Sequence, residues 1–136
     1  KLFEDLYITI NKPPVPDNIS VDVALLLDIT GSMTPYCKPT LSTIECLING
    51  NNSIISNLKL QFPDTDVKLR LGVLGYRDID DGSDQFCESI WDGGGHFTET
   101  CCDALTFAKQ AMSQASGGND LAEDHLGAIK QSLSWN

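Results

Sequence analysis

Three oxygen-bearing side chains, Asp28, Thr30 and Ser32, occupy alternate positions directly after an apolar run at residues 23–27. A short uncharged run of aliphatic residues is typical of a strand buried on both faces of a parallel sheet. Pro35 follows, and proline suits the first turn of a helix. In an open α/β sheet, ligands bind beyond the carboxyl ends of the strands, where these oxygens lie. Three hard oxygen donors on one turn favour a hard divalent cation, Mg²⁺ or Mn²⁺, over zinc or copper.

The same three residues also have a purely structural interpretation. Small polar side chains at a strand-to-helix turn can cap the helix, because their oxygens accept hydrogen bonds from its free N–H groups. Such a cap needs no metal ion, and the spacing of the residues alone does not separate the two interpretations.

The Asp-x-Thr-x-Ser pattern at this place resembles the metal-ion-dependent adhesion site of von Willebrand factor type A domains. Further motifs follow: Gly-Tyr-Arg-Asp at residues 75–78, Asp-Gln-Phe at residues 84–86, and Gly-Gly-Asn-Asp at residues 117–120. Together they resemble the branch of type A domains found beside α-kinase domains and in related intracellular proteins. The resemblance covers residues 20–136 and depends on the order and spacing of the motifs together.

This resemblance implies an α/β fold with a doubly wound, mostly parallel sheet, helices on both faces and one antiparallel edge strand. It also implies that Thr30 and Ser32 bind Mg²⁺ (or Mn²⁺) directly, and that Asp28 holds the ion partly through water. Because both hydroxyls are neutral, the ion would keep net positive charge and an open position. An acidic side chain of a protein partner can fill that position.

Asp120 is the residue that matches the second metal loop of the family. Many type A domains have a threonine there, and an aspartate adds negative charge beside the ion, which lowers its attraction for an acidic partner. Asp120 is expected to contact the ion directly or through water, or else to cap the last helix together with Glu123. Asp78, which ends the Gly-Tyr-Arg-Asp motif, is expected to form an ion pair in the neighbourhood of Arg77 or to take a turn role, and it is not predicted to be a ligand.

Composition indicates one globular domain of 136 residues, with 41% apolar and 21% charged residues. A net charge of −10 argues against nucleic acid and anionic membranes as partners, since the chain has no basic surface. Five cysteines are an odd number and favour reduced thiols and a cytoplasmic location. Two glycosylation acceptor patterns, at residues 18–20 and 51–53, point the other way but occur often by chance.

Other kinds of site fit the sequence less well. The spacing of Cys87, His96, Cys101 and Cys102 matches no zinc pattern, so buried thiols are expected. A haloacid-dehalogenase-type phosphatase needs a second aspartate where Thr30 stands, and a dinucleotide site needs more glycines than Gly31 in the first turn. The chain therefore shows no catalytic constellation, and any enzyme activity would belong to another part of the protein.

The pattern of apolar residues predicts the elements that position these motifs. Residues 1–20 are expected to form an arm, and residues 21–136 a type A domain. Strand 1 is expected at residues 21–27, in the middle of the sheet. The later elements are a helix from Pro35 towards Phe62 that is broken around residues 49–53, strand 2 at 67–76, an antiparallel strand at 85–90, a helix at 99–115, and a last helix from about Asp120 with Ala122, Leu126, Ile129 and Leu133 as its apolar stripe.

A type A domain should continue with a further strand after that helix, so the fold is expected to be incomplete at its C-terminus and the chain to be part of a larger protein. The function expected for it is a metal-dependent protein-interaction domain that docks or scaffolds partners. One alternative is a regulatory domain attached to an atypical α-kinase. Another is a structural subunit whose metal site is vestigial.

Overall fold

Strands and helices alternate along the chain in a computed structural model, which describes residues 17–118 and 124–135. The strands are β1 (Asn18–Asp28), β2 (Asp66–Tyr76) and β3 (Phe86–Glu88). The α-helices are α1 (Cys37–Asn49), α2 (Ile54–Gln61), α3 (Cys101–Ser113) and α4 (His125–Ser132). Short 3-10 helices at Gly31–Tyr36 and Ile79–Asp84 follow β1 and β2. The predicted α/β class is confirmed, and β1 begins inside the segment predicted to be an arm.

The sheet has the order β1-β2-β3. β1 and β2 run parallel along their whole length, with Asp28 opposite Tyr76 at the carboxyl end, and β3 pairs antiparallel to β2. Strand 1 was predicted to be central, and this was wrong for the described residues. β3 and the bridge at Thr98 both pair with the far side of β2, so β2 has neighbours on two sides and β1 lies at an edge. Both parallel strands nevertheless end at the same edge of the sheet.

One face of the sheet carries the main hydrophobic core. Alternate residues of a strand point to the same face, and the odd-numbered residues of both parallel strands pack against α1 and α3. α3 is the helix predicted at residues 99–115, and one of its faces is buried in this core. The central members are Leu27, Ile29, Ile44, Ile48, Leu69, Leu71, Val73, Ala104, Leu105, Ala108, Ala111 and Met112.

The helix after β1 is broken as the sequence predicts. α1 ends at Asn49, and α2 starts after Ser53, whose buried side-chain oxygen accepts a hydrogen bond from the backbone N–H of Ser56 at 3.3 Å. A run of Gly, Asn and Ser favours turns and caps over helix interior, which explains the interruption. The interruption leaves Ile54 and Ile55 packed against the core cluster.

α4 covers the opposite face of the sheet, but with a different surface from the one predicted. Ala128 is 0% exposed, whereas Leu126 and Leu133 of the predicted apolar stripe are 72% and 81% exposed. Gly72 presents no side chain on this face, and Trp135 occupies the space: a Cβ built on Gly72 would lie 2.8 Å from the Trp135 ring. The prediction of the buried stripe was therefore wrong, because a small alanine lets the short helix approach the sheet.

Several predictions fall outside the described residues. The arm up to residue 16, Asp120 and Glu123 all belong to this group. Within the described ranges, every helix is too short or too polar to cross a membrane.

Candidate metal site

The side chains of Asp28, Thr30 and Ser32 come together at the carboxyl end of β1. Thr30 Oγ1 donates a hydrogen bond to Asp28 Oδ1 at 2.7 Å, and the Thr30 backbone N–H donates to the same oxygen at 2.9 Å. Thr30 Oγ1 lies 3.1 Å from Ser32 Oγ. The three predicted ligands therefore form one chain of oxygens, which confirms that they are neighbours in space.

The Thr30 hydroxyl does not act as the helix cap of the structural interpretation. Thr30 stands at the N-cap position of the first 3-10 helix, but its side chain makes no capping hydrogen bond. Its hydroxyl turns back towards Asp28 instead. A buried hydroxyl is normally satisfied by the nearest available partner, and here that partner is a carboxylate and not a helix N–H group.

The spacing of these oxygens is that of hydrogen-bonded groups, and it is also compatible with a magnesium ion. Mg²⁺ binds oxygens at about 2.1 Å in octahedral geometry, so that neighbouring ligands are about 2.9 Å apart. The two distances between successive oxygens, 2.7 and 3.1 Å, lie on either side of that value. Thr30 is 0% exposed, Asp28 is half-buried and Ser32 is exposed, so the oxygens lead from the interior towards solvent. These three residues could hold Mg²⁺ with part of its coordination shell open.

The loop after α3 closes over this turn. Ser116 donates its backbone N–H to Ile29 O at 3.0 Å, and Gly31 donates its N–H to Gly117 O at 3.2 Å. Gly118 has φ +80°, a backbone conformation that glycine adopts readily. A Cβ built on Gly118 would lie 3.0 Å from Thr30 Cβ, so a glycine is needed for the loop to come this close. Asp120, the fourth predicted ligand, follows this loop in sequence and lies outside the described residues.

Arg77, directly after β2, holds the loop from the other side. Its guanidinium donates three hydrogen bonds to backbone carbonyls: Nη2 to Gln114 O at 2.8 Å, Nε to Ser116 O at 3.1 Å and Nη1 to Asp84 O at 2.5 Å. The residue is 8% exposed. A charged group is buried only when its donors find acceptors, and these three carbonyls belong to two different loops. Arg77 therefore joins the end of β2 to both of them.

Asp78 and Asp81 begin the second 3-10 helix beside this loop. Asp78 occupies the N-cap position, and Asp81 Oδ2 accepts a hydrogen bond from the Asp78 backbone N–H at 3.2 Å, as in a capping box. Of the two roles expected for Asp78, this supports the turn role. Asp78 is only 1% exposed, and its Oδ2 lies 3.7 Å from the position of a Cβ on Gly118. A second carboxylate is thus buried close to the loop that covers Thr30.

The cysteine and histidine residues take separate structural positions. Burial raises the pKa of the Cys87 thiol, against the opposing effect of the Arg77 charge and with a smaller contribution from Glu88. The His96 ring stacks on Trp135, Cys101 packs against the core and Cys102 is exposed. Within residues 17–118 and 124–135, no group of three or more His, Cys, Asp and Glu side chains is arranged to hold a metal. Thr30 and Ser32 would bind a metal through hydroxyls and are not members of such a group.

Sequence reasoning did not single out Arg77. The signal available was a charged residue directly after a buried strand, in the Gly-Tyr-Arg-Asp motif, where an arginine is unusual unless its donors are satisfied. Which carbonyls satisfy it depends on how two distant loops fold together, and spacing in the sequence does not carry that information.

No protein-family model, curated protein or solved structure matches this chain. The resemblance to type A domains therefore depends on the motifs described above.

Proposed function

We propose that this chain is a metal-dependent protein-interaction domain that docks or scaffolds partner proteins. Asp28, Thr30 and Ser32 hold Mg²⁺ (or Mn²⁺), and Asp120 contributes directly or through water. The fold in this proposal is the doubly wound type A domain, in which further strands extend the sheet beyond the edge at β1. The uncharged aliphatic run at residues 23–27 supports this part of the proposal, because such runs are typical of strands buried on both faces of a sheet.

The observation that carries the proposal is the direction of the Thr30 hydroxyl. This group is fully buried and could have capped the helix that follows, yet it bonds to Asp28 and lies beside Ser32. A threonine whose hydroxyl donates a hydrogen bond to a carboxylate keeps its oxygen lone pairs for another partner. A cation beside it would use those lone pairs while the hydrogen bond to Asp28 persisted.

The role of the ion follows from charge. Two neutral hydroxyls and one carboxylate leave a divalent ion with net positive charge, and the exposure of Ser32 leaves a way in from solvent. A Glu or Asp of a partner protein would complete the coordination. The negative charge of Asp120 opposes this attraction, so we expect the partner to gain much of its affinity from contacts around the ion.

Calorimetric titration with MgCl₂ tests the metal site. The wild-type chain should bind Mg²⁺, and Asp28→Ala should lose detectable binding because the single strong anionic ligand among the three is removed. Asp22→Ala is the matched control, since Asp22 lies on the same strand and makes an exposed ion pair with Arg70. Equal Mg²⁺ binding by wild type and Asp28→Ala would contradict the proposed ligands.

A second experiment tests the interaction function. Partner capture by the wild-type chain should be reversed by EDTA and should fail for Asp28→Ala, whereas Asp22→Ala should behave like wild type. Capture that is indifferent to EDTA would separate partner binding from the metal.

The alternative of a structural unit with a vestigial site starts from the same contacts. In that alternative the hydrogen bonds among the oxygens of Asp28, Thr30 and Ser32 would serve to close the turn. Absence of Mg²⁺ and Mn²⁺ binding in a folded wild-type protein would select this alternative. The regulatory domain of an atypical α-kinase stays a prediction from the sequence.

A further inference from the structure

We infer that Arg77 is a positioning residue for the proposed metal site: it fixes the loop after α3 against the turn that carries Thr30. The inference depends on the proposed function, because it assigns Arg77 a role in the same site. The three hydrogen bonds of the Arg77 side chain go to backbone carbonyls and not to the three predicted ligands. Arg77 acts on these ligands through the backbone of residues 114–118.

The guanidinium of Arg77 has a geometry that suits this role. Its three nitrogens donate to Gln114 O, Ser116 O and Asp84 O, and the group is almost wholly buried. Arginine has a planar fork of donors, whereas lysine has a single compact charge on a flexible stem. Only the fork can reach three diverging carbonyls at once, so lysine is not an equivalent replacement here.

The loop held by Arg77 is also hydrogen-bonded to the turn that carries the predicted ligands. Ser116 uses its carbonyl for Arg77 and its N–H for Ile29 O, so one residue is bonded to the ends of both parallel strands. The next residue, Gly117, accepts the N–H of Gly31, which stands between Thr30 and Ser32. A shift of the loop would therefore move the backbone from which both hydroxyls project.

The same loop also packs directly against the side chain of Thr30. Gly118 approaches so closely that a Cβ on it would be 3.0 Å from Thr30 Cβ. The Thr30 rotamer that aims its hydroxyl at Asp28 is held from this side. Residues that orient metal ligands without touching the ion are known to affect metal affinity by about 10- to 100-fold. We expect an effect of this size from Arg77.

The test compares Arg77→Lys and Arg77→Gln with wild type in Mg²⁺ titrations on the whole chain. Both variants should bind Mg²⁺ about 10- to 100-fold more weakly. Arg70→Gln is the control, because Arg70 is an arginine of β2 whose partner is the exposed Asp22. That variant should keep wild-type Mg²⁺ affinity.

Stability has to be measured in parallel, since a buried arginine also supports the fold. Unfolding midpoints are recorded in EDTA and in Mg²⁺, and the difference between them reports metal binding to the folded state. A purely structural role would lower both midpoints and leave the difference unchanged. A folded Arg77→Lys or Arg77→Gln protein with an unchanged difference would overturn the inference. Wild type without any Mg²⁺-dependent difference would instead contradict the proposed function.

Hydrogen exchange on the wild-type protein keeps the inference testable even where the Arg77 variants do not fold. Addition of Mg²⁺ should slow exchange of the Gly31 N–H and of the Ser116 N–H, because the turn and the loop are bonded to each other. Protection that appears at Gly31 and not at Ser116 would show that the loop is independent of the metal, and would overturn the inference.

Discussion

Two polar clusters occupy the same pair of parallel strands and differ in almost every physical respect. At the carboxyl edge, Thr30 and Arg77 are buried, and their side chains bond to a carboxylate and to backbone carbonyls. On the face of the sheet opposite the main core, Asp22 and Arg70 form a bidentate ion pair. Its Nε–Oδ1 and Nη2–Oδ2 distances are 2.7 and 2.6 Å, and both side chains are partly exposed. The contacts of the two clusters have similar lengths, since those of the first range from 2.5 to 3.1 Å, yet the first ties together more of the chain.

The donor–acceptor distance of an interaction is therefore a poor guide to its importance. An exposed ion pair replaces bonds to water that were nearly as good, and salt screens its attraction. A buried guanidinium that loses its carbonyl partners cannot turn to water, and neither can the carbonyls. Variants that change one residue of a cluster can be compared with variants in the other cluster or at a matched site.

The largest effect on stability is expected for Arg77→Gln. Loss of three hydrogen bonds from a buried charged donor should lower the free energy of unfolding by about 3 kcal/mol. Arg70→Gln should have little effect, because the group it removes is exposed. Urea unfolding of both variants in EDTA gives the comparison. Similar losses of unfolding free energy in Arg77→Gln and Arg70→Gln would show that the buried contacts of Arg77 stabilise the fold no more than the exposed ion pair does.

A smaller loss is expected for Gly118→Ala. An alanine at a φ near +80° costs about 1–2 kcal/mol, and the new Cβ must also displace Thr30. Gly94→Ala is a matched control: Gly94 has φ +83°, but a Cβ there would have open space around it. The difference between the two variants in urea unfolding isolates the contact with Thr30. Only Gly118→Ala should also weaken Mg²⁺ binding, and equal behaviour would show that the loop does not press on the site.

Thr30→Val tests the hydroxyl alone, because valine nearly keeps the shape of threonine. Removal of the hydroxyl should cost about 1 kcal/mol, since Asp28 Oδ1 loses one of its two donors. It should also weaken Mg²⁺ binding strongly, since one predicted ligand is gone. Thr43→Val on the exposed side of α1 is the control and should leave Mg²⁺ affinity unchanged. Wild-type Mg²⁺ affinity in Thr30→Val would remove Thr30 from the ligand set.

The smallest effect concerns pH and the exposed cluster. Hydrogen bonds from Arg70 hold the pKa of the Asp22 carboxyl below its usual value of 3.8, against a weaker opposing effect of burial. Because the pKa of Asp22 is lower in the folded state, the ion pair with Arg70 stabilises the fold fully at pH values above 3.8. This contribution disappears as the pH falls through the folded-state pKa. The stability difference between wild type and Asp22→Asn should therefore shrink in acid and in high salt. A difference that grows in acid would contradict this sign.

The strongly periodic parts of the sequence predicted their structure well. The buried face of α3, the break between α1 and α2 and the parallel pairing of β1 with β2 follow from local patterns. The placement of Asp28, Thr30 and Ser32 beside one another also follows, because residues at alternate positions on one tight turn have few ways to separate.

Other features depend on contacts between distant segments. The helical spacing of Leu126, Ile129 and Leu133 predicted a buried stripe, but Gly72 and Trp135 decide how α4 sits on the sheet. The order of strands depends on which side of β2 the later hairpin takes. The role of Arg77 depends on three carbonyls that lie 7 to 39 residues away in sequence. None of these partners can be identified from the spacing of residue types alone.

The most direct test of the central claim is anomalous diffraction from crystals of the wild-type protein soaked in MnCl₂. The account predicts one strong anomalous peak at the carboxyl end of β1, in direct contact with Thr30 Oγ1 and Ser32 Oγ and next to the Asp28 carboxylate. The same crystals would show whether Asp120 reaches the ion. A protein whose Thr30–Asp28 hydrogen bond is intact, with no manganese at these oxygens or with manganese only elsewhere, would contradict it.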